Sequence, residues 1–170
     1  NFMVVVCFSM SKGYTMYGYR LGCMIGISSD KEAIEEFKLA NTYSSRATWS
    51  NCNRAGMLTM MEITNDPEKQ AAFKAEQEAL RLSLVKRAET FTKEAQEVGL
   101  KICPYHSGFF ITVPTKDEQE AADIAALMRE SDIFVVPLGA GLRVAICAIP
   151  EEQIAGMATK FKAAFDQLNA

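Results

Sequence analysis

The amino-terminal part of the chain alternates apolar runs with amphipathic stretches, which is typical of strands followed by helices. Residues 2–8 form a nearly continuous apolar run rich in valine, and residues 21–27 repeat the pattern after a polar connection that contains glycine. Uninterrupted apolar runs of this length are typical of strands that are covered on both faces in a parallel sheet. The pattern therefore predicts two buried strands of a parallel-type sheet.

Helical periodicity follows the second apolar run. Ser29 and Glu32 have the spacing of a capping box, in which two side chains satisfy the first backbone N–H groups of a helix, so a helix is predicted over residues 30–42. Residues 56–63 form a second apolar stretch with helical spacing. Strands and helices that alternate in this way predict an α/β fold for this part of the chain.

One long helix is predicted in the middle of the chain. The sequence Asn65-Asp66-Pro67 places a capping residue before a proline in the first turn, and apolar positions then recur at helical spacing until Gly99. After this glycine the elements become short. The pattern predicts three parts, residues 1–66, a connecting helix over residues 67–99, and a small α+β domain over residues 100–170.

The small domain is predicted to contain three strands and two helices. Two strands cover residues 109–113 and 133–136, and the helix between them begins at a capping box formed by Thr115 and Glu118. The last helix is predicted from Glu151. The buried positions predicted are Ala121, Ile124, Ala125 and Met128 in the first helix, Leu142, Val144 and Ile146 in the third strand, and Ile154, Met157, Ala158, Phe161, Phe165 and Leu168 in the last helix.

Composition and charge exclude several classes of protein. Hydrophobic residues make up 49% and charged residues 23% of the chain, as in an average soluble globular protein. The net charge of -3 and the mixture of both signs argue against a nucleic-acid partner, which requires a basic surface. The apolar run at residues 2–8 is too short to span a bilayer, which requires about 20 residues, so no membrane partner is expected.

The cysteines indicate a compartment. They are odd in number, widely scattered and without a C-x-x-C pair, which predicts buried, reduced thiols and no metal site. Reduced thiols and the absence of a signal-peptide pattern favour a cytoplasmic protein. The cysteines are Cys7, Cys23, Cys52, Cys103 and Cys147.

The connection between the first two strands carries the strongest candidate chemistry. Ligands bind at the carboxyl ends of strands in open parallel sheets, and Lys12 follows the first strand directly. A partly shielded lysine amine at this position can attack an aldehyde. Ser9 and Arg20 lie at the same predicted sheet edge, and a hydroxyl and a planar guanidinium both bind phosphate oxygens. Lys12 alone is a weak signal, since a surface lysine after a strand is common.

Residues 9–22 resemble, over their whole length, the cofactor-lysine motif of the fold-type I aminotransferases, in the branch that acts on aspartate and aromatic amino acids. The resemblance implies pyridoxal 5'-phosphate as cofactor, Lys12 as its Schiff-base lysine, and Ser9 and Arg20 as phosphate ligands. It extends over essentially the whole chain, so residues 1–66 are expected to be the end of the large cofactor-binding domain. Tyr17 is expected to be a packing residue, with the lining of the cofactor pocket as the alternative.

Two further arginines fall within the resemblance. The segment from Arg46 to Asn51 is similar to a loop that reaches across the dimer interface in aspartate-specific members, which implies that Arg46 binds the side-chain carboxylate of a dicarboxylic substrate. The proline-rich continuation of that loop is absent, and a solvated or helix-ending arginine is the ordinary alternative. Arg143 lies opposite the apolar face of its strand, where the resemblance implies a bidentate contact with the substrate α-carboxylate.

The resemblance implies transamination between an amino acid, namely aspartate, glutamate or an aromatic one, and a 2-oxo acid in a homodimer. The family's pyridine-nitrogen partner and phosphate loop precede the lysine strand, so the 170 residues alone are expected to transaminate negligibly. Two alternatives stay open, a carbon–sulfur lyase of the same fold and an interaction module without catalysis. His106 lies in a predicted loop without companions that indicate catalysis.

Overall fold

The computed structural model describes residues 2–169, which divide into two compact units between Gln77 and Glu78. Both units contain helices and a small sheet, so the mixed α/β class is confirmed. The predicted domain limits at residues 66 and 99 stay a prediction.

The first unit is built on a pair of strands and the helices that follow them. β1 and β2 form a two-stranded sheet whose register runs from Val4 opposite Ile27 to Ser9 opposite Gly22. A 3₁₀ turn, Tyr17–Tyr19, lies in the connection. The elements are β1 (Val4–Ser9), α1 (Met10–Gly13), β2 (Gly22–Ile27), α2 (Lys31–Thr48) and α3 (Arg54–Asn65).

The prediction of two buried, parallel-type strands is wrong. β1 and β2 pair antiparallel, because their connection folds as one short helix and a 3₁₀ turn instead of a crossover helix, and β2 returns beside β1. All of β1 is exposed, and in β2 only Gly26 is partly covered. Helix α2 covers this glycine closely, since a Cβ there would lie 2.9 Å from Cδ1 of Phe37.

The helices of the first unit begin at other caps than predicted. Asp30, and not Ser29, caps α2, because its carboxylate accepts hydrogen bonds of 3.1 Å from the backbone N–H groups of both Glu32 and Ala33. The helix continues to Thr48, beyond the predicted end at residue 42. The capping box predicted for Ser29 and Glu32 is therefore wrong.

The long helix is confirmed as α4, Pro67–Val98. At its start the Asp66 carboxylate accepts hydrogen bonds from the N–H groups of Glu68 at 2.9 Å and Lys69 at 3.2 Å. At its end Gly99 takes φ 71°, the left-handed conformation in which glycine avoids a Cβ clash. The helix begins in the first unit and ends in the second.

The second unit contains a three-stranded antiparallel sheet and two further helices. The strand order is β3-β5-β4, with Thr112 and Val136 on either side of Arg143. The elements are β3 (Phe110–Pro114), α5 (Glu118–Glu130), β4 (Val136–Pro137), β5 (Gly141–Ala145) and α6 (Met157–Leu168), with 3₁₀ turns at Ile146–Ala148 and Glu151–Gln153.

One core lies between this sheet and its helices. The alternation of β3 and β5 places Ile111, Val113, Leu142 and Val144 on the inner face with no exposed surface. All predicted core positions are buried except two, Phe165, which is partly buried, and Leu168. Leu168 is 40% exposed because it is the last residue of α6, where the helix leaves the core.

Three element limits in the second unit differ from the prediction. Asp117, and not Thr115, caps α5, since its carboxylate accepts a 2.9 Å hydrogen bond from the N–H of Glu120. The strand predicted at residues 133–136 is reduced to Val136–Pro137. The last helix begins at Met157 because residues 151–153 form a separate 3₁₀ turn.

Helix α6 is capped by a side chain from α4. Its N-cap residue, Gly156, has no side chain, and the carboxylate of Glu94 accepts hydrogen bonds of 2.9 Å from the N–H groups of Gly156 and Thr159. About two turns earlier on α4, Nη1 of Arg87 donates to the carbonyl of Cys147 at 3.1 Å. The bonds from Glu94 fix the start of α6 against α4, and the bond from Arg87 fixes the 3₁₀ turn Ile146–Ala148 against it.

Candidate functional site

The connection between β1 and β2 places the predicted cofactor residues. Ser9 ends β1 and caps α1, where its Oγ accepts a hydrogen bond from the N–H of Ser11 at 3.2 Å, and Lys12 lies in this short helix. Met10 and Leu21, which are 3% and 8% exposed, close the two ends of the connection through a 3.0 Å backbone hydrogen bond. The connection is thus tied down at both ends.

Lys12 and Arg20 both contact the ring of Tyr17. Nζ of Lys12 lies 4.4 Å from the ring centroid, and the guanidinium carbon of Arg20 lies 5.1 Å from it. Nη1 of Arg20 also donates to the backbone carbonyl of Tyr17 at 3.1 Å. The two cations are therefore separated by no more than the sum of the two ring distances, which confines an amine and a guanidinium to one small region.

The backbone of this connection is strained at two positions. Arg20 has φ 52° and ψ 46°, and Thr15 has φ 52°. Residues other than glycine rarely adopt this left-handed backbone conformation. Each such residue costs about 1 kcal/mol or more, and strain of this kind is common at ligand sites. At Arg20 the left-handed conformation ends the 3₁₀ turn and directs the guanidinium back to Tyr17.

The predicted shielding of Lys12 is not provided by residues 2–169. Ser9, Lys12 and Arg20 are all exposed, as are the strand residues of β1 on both faces. The positions of the three side chains come from their own connection, while any cover over them has to come from other residues.

Arg46 lies in the last turn of α2, and not in a loop. Its side chain is exposed, and its Nη1 donates to Oγ of Ser50 just beyond the helix. The local structure is that of a helix-ending arginine, and its substrate role stays a prediction.

Arg143 lies in β5, on the face opposite the buried Leu142 and Val144, as predicted. Its guanidinium carbon lies 4.6 Å from the ring centroid of Phe110. Its Nε is buried and has no hydrogen-bond partner among the residues that the structure describes. A buried donor without a partner is costly, so this nitrogen suits an acceptor such as a carboxylate.

The structure groups the predicted site residues by unit. Ser9, Lys12 and Arg20 lie together in the first unit, which also contains Arg46, and Arg143 lies in the second. Of the aromatic partners, Phe110 was not predicted as a site residue, and Tyr17 was predicted to be a packing residue, with the cofactor pocket only as the alternative. The sequence gives only slight signals for these contacts. Tyr17 lies between Lys12 and Arg20 in the sequence, and Phe110 has an outward position in β3, beside β5.

Other features of the two units add no catalytic group. The second unit has a cavity of about 840 Å³ between α4 and residues 100–109, with His106 in its loop and an apolar floor. There Tyr105 donates to the carbonyl of Gly108 at 2.7 Å, and burial raises the pKa of its phenol. Within residues 2–169 no helix is long and apolar enough to span a membrane, and no cluster of three or more His, Cys, Asp or Glu is suited to a metal.

The prediction of buried cysteines is wrong for most of them. Cys7, Cys23 and Cys52 are exposed, and Cys103 and Cys147 are partly buried. The exposed three belong to the first unit, where the strands lack cover. All five are unbridged thiols in the described structure.

Comparison with known proteins decides the family. The sequence model "Aminotransferase class I and II" matches residues 1–161. The chain belongs to the class I and II aminotransferases. Among curated proteins, this aminotransferase chain is 27% identical over 145 residues to an aspartate aminotransferase of Streptomyces avermitilis, covering 78% of this chain and 32% of that protein. The predicted resemblance is thus confirmed.

Solved structures agree with this family. An aminotransferase from Anaerococcus prevotii is 40% identical with a TM-score of 0.87, over 96% of this chain and 39% of that one. A putative aspartate aminotransferase from Leishmania major shares the fold, with 17% identity and a TM-score of 0.75 over 98% of this chain and 40% of that one. The chain therefore spans less than half the length of the relatives that it matches.

Proposed function

We propose that these 170 residues are part of a longer enzyme that transfers an amino group from aspartate, glutamate or an aromatic amino acid to a 2-oxo acid. The family and the likeness to aminotransferases support the reaction class. The observation that carries the proposal is the pairing of Lys12 and Arg20 on the Tyr17 ring at the end of β1.

This pairing fits pyridoxal 5'-phosphate. The aldehyde and the phosphate of this cofactor are substituents of neighbouring ring carbons, so an amine and a phosphate ligand have to lie close together. Arg20 presents its planar guanidinium to phosphate oxygens, and the Ser9 hydroxyl, whose oxygen accepts from Ser11, can direct its hydrogen to another. Lys12 is the amine that holds the aldehyde.

The protein residues have separate roles in the proposed reaction. When bound, the cofactor supplies an aldehyde for the amino group and a ring that takes up electrons from the substrate α-carbon. Lys12 would move the proton at that carbon, because the amine that holds the aldehyde would lie beside it. Arg20 and Ser9 hold the phosphate end in place during these steps.

Arg143 is proposed to bind the substrate α-carboxylate. Its Nε lacks a hydrogen-bond partner among the described residues, and its guanidinium carbon lies 4.6 Å from the centroid of the Phe110 ring. A guanidinium can form two parallel hydrogen bonds with a carboxylate. Such a contact fixes the direction of the α-carbon as well as the charge. The role belongs to the second unit, which places this arginine on a fully packed strand.

Arg46 is proposed to serve the active site of a partner subunit in a homodimer. Its exposed position at the end of α2 leaves the guanidinium accessible to a second chain. There it binds the distal carboxylate of a dicarboxylic substrate. We further propose that the enzyme is cytoplasmic and that the isolated 170 residues, which span 39% of the A. prevotii chain, transaminate negligibly.

Covalent fixation of the cofactor tests the proposal. In the complete polypeptide, borohydride is expected to fix pyridoxal phosphate to the peptide that contains Lys12, as located by mass spectrometry. Lys12→Arg, which keeps the charge, is expected to abolish both this label and oxo-acid formation. Label on another lysine, or activity without Lys12, would refute the assignment. Oxo-acid formation without ammonia release separates transamination from carbon–sulfur lysis.

A further inference from the structure

We infer that Tyr17 is a positioning residue that sets the distance between the aldehyde-binding amine of Lys12 and the phosphate-binding guanidinium of Arg20. The inference rests on the proposed cofactor chemistry and adds to it a residue that binds neither end of the cofactor. It starts from a single ring that contacts both cations, at 4.4 Å from Nζ and 5.1 Å from the guanidinium carbon.

Electrostatics explains why an aromatic ring is suited to this place. Two positive side chains held close together repel each other, and the repulsion is largest before an anion binds between them. The face of an aromatic ring is negative and attracts both cations without carrying a charge of its own. The ring thereby keeps both groups near each other and still leaves them available to an aldehyde and a phosphate.

The backbone supports the same role. The Tyr17 carbonyl accepts a hydrogen bond from Nη1 of Arg20, so the residue contacts the guanidinium through both its main chain and its ring. Arg20 makes these contacts in a left-handed conformation, φ 52°, that is unfavourable for arginine. The strain indicates that the direction of the Arg20 side chain is defined by its surroundings.

Tyr17 itself contributes little to packing. It is 61% exposed, whereas Tyr14 in the same connection stacks on Phe73 at 4.9 Å. A substitution at Tyr17 is therefore expected to leave the fold intact. The described contacts of its ring are with cations, which assigns it to the site and not to the core.

Comparison of labelling by two aldehydes tests the inference without measuring turnover. The complete polypeptide, freed of cofactor, is treated with pyridoxal phosphate or with pyridoxal, which lacks the phosphate, and then with borohydride. The label on the Lys12 peptide is compared between the two. The wild type is expected to prefer pyridoxal phosphate, because Arg20 and Lys12 bind its two ends together. In Tyr17→Leu this preference is expected to fall about two- to fivefold, the size of one exposed cation–π contact.

Three further variants make the result specific. Tyr17→Phe keeps the ring and is expected to keep the preference, whereas a hydroxyl role would make it behave like Tyr17→Leu. Arg20→Gln is expected to lower the preference, and adding Tyr17→Leu to it is expected to lower it no further. Tyr43→Leu removes a tyrosine that is 80% exposed on α2 and serves as the matched control, without effect.

The outcomes separate the two proposals. A wild type that carries no label on Lys12 overturns the proposed function and this inference with it. A wild-type preference that survives Tyr17→Leu overturns the role of Tyr17 alone. A preference lost equally in Tyr17→Phe and Tyr17→Leu also overturns it, because the ring then has no effect of its own.

Discussion

The two units of the chain differ in how far the apolar residues of their strands are buried. In the second unit the strands alternate, and Ile111, Val113, Leu142 and Val144 face a closed core without exposed surface. In the first unit β1 is apolar from Val4 to Phe8 and exposed throughout, and Val5 keeps 41% of its surface. A strand that is apolar on both faces has to be covered on both faces. Residues 2–169 cover the apolar face of the sheet in the second unit, but they do not cover β1 in the first unit.

The difference also separates packing from chemistry. The residues proposed to bind the cofactor, Ser9, Lys12 and Arg20, lie in the unit with the thinner core, in a connection tied by a backbone hydrogen bond, while Arg143 lies on a strand of the second unit whose neighbouring residues are buried. Four predictions test this contrast, beginning with the largest effect.

Removing a core ring from the second unit should cost the most stability. Phe161 is fully buried and contacts Phe91 edge to face at 6.1 Å, so Phe161→Ala is expected to lower the free energy of unfolding by about 3–5 kcal/mol. Val5→Ala in β1 is expected to cost only about 0.5 kcal/mol, as at a surface position. Urea unfolding measures both. Equal losses would show that β1 is as well packed as the sheet of the second unit.

Breaking the cap between α4 and α6 should have the next largest effect. Glu94→Ala leaves the N–H groups of Gly156 and Thr159 without their acceptor, and is expected to cost about 1–2 kcal/mol. Glu97→Ala, on the same helix, removes only a contact of 4.0 Å with Lys93 and is expected to cost less than about 0.5 kcal/mol. Thermal unfolding compares the two. An equal cost would mean that Glu94 has no role as a cap.

Thiol reactivity should follow the same division. Cys7, Cys23 and Cys52 are exposed, whereas Cys103 and Cys147 are partly buried, so we expect local opening to assist the reaction of these two. The latter two are expected to react at least about tenfold more slowly, which corresponds to about 1.4 kcal/mol of opening free energy. Labelling followed by peptide mass spectrometry gives each rate, with guanidinium-unfolded protein as the control. A single common rate in the folded chain would contradict the contrast.

The smallest effect is expected in acid, at the cap of α4. The pKa of Asp66 lies below its usual value of 3.8, and the largest cause is the hydrogen bond that its carboxylate accepts from the backbone N–H of Lys69. A lowered folded-state pKa contributes stability above the unfolded-state pKa, and this contribution is lost as the pH falls through the folded-state pKa. Asp66→Asn keeps the acceptor but does not titrate. The stability difference between wild type and variant should stay constant above about pH 5 and shrink in stronger acid, and a pH-independent difference would exclude this linkage.

Local signals predicted much of the fold and named the residues of the candidate site. The ends of α4 follow from Asp66, Pro67 and Gly99, and the inner face of β5 follows from alternation in one short segment. The motif around Lys12 likewise lies in fourteen consecutive residues, which a sequence comparison can recognise as a unit.

The features that the sequence did not reveal depend on the path of the chain in space. The antiparallel pairing of β1 and β2 follows from how their connection turns, and an apolar run is the same for either direction of pairing. The contacts of Tyr17 follow from a 3₁₀ turn and a left-handed Arg20, neither of which has a clear local signal. Caps were misplaced by one or two residues because several neighbouring side chains can serve as the acceptor.

The hydrogen bonds from α4 to Cys147, Gly156 and Thr159 join residues that are distant in sequence, which bears on the order in which the second unit can fold. Arg87 reaches a residue 60 positions away, and Glu94 reaches residues 62 and 65 positions away. Bringing such distant partners together costs loop-closure entropy before any of these bonds forms. The turns of α4, in contrast, form through hydrogen bonds between residues that are close in sequence. The long helix is thus able to form early, and the sheet that carries Arg143 is enclosed only when the last helix, which itself carries no site residue, docks on Glu94.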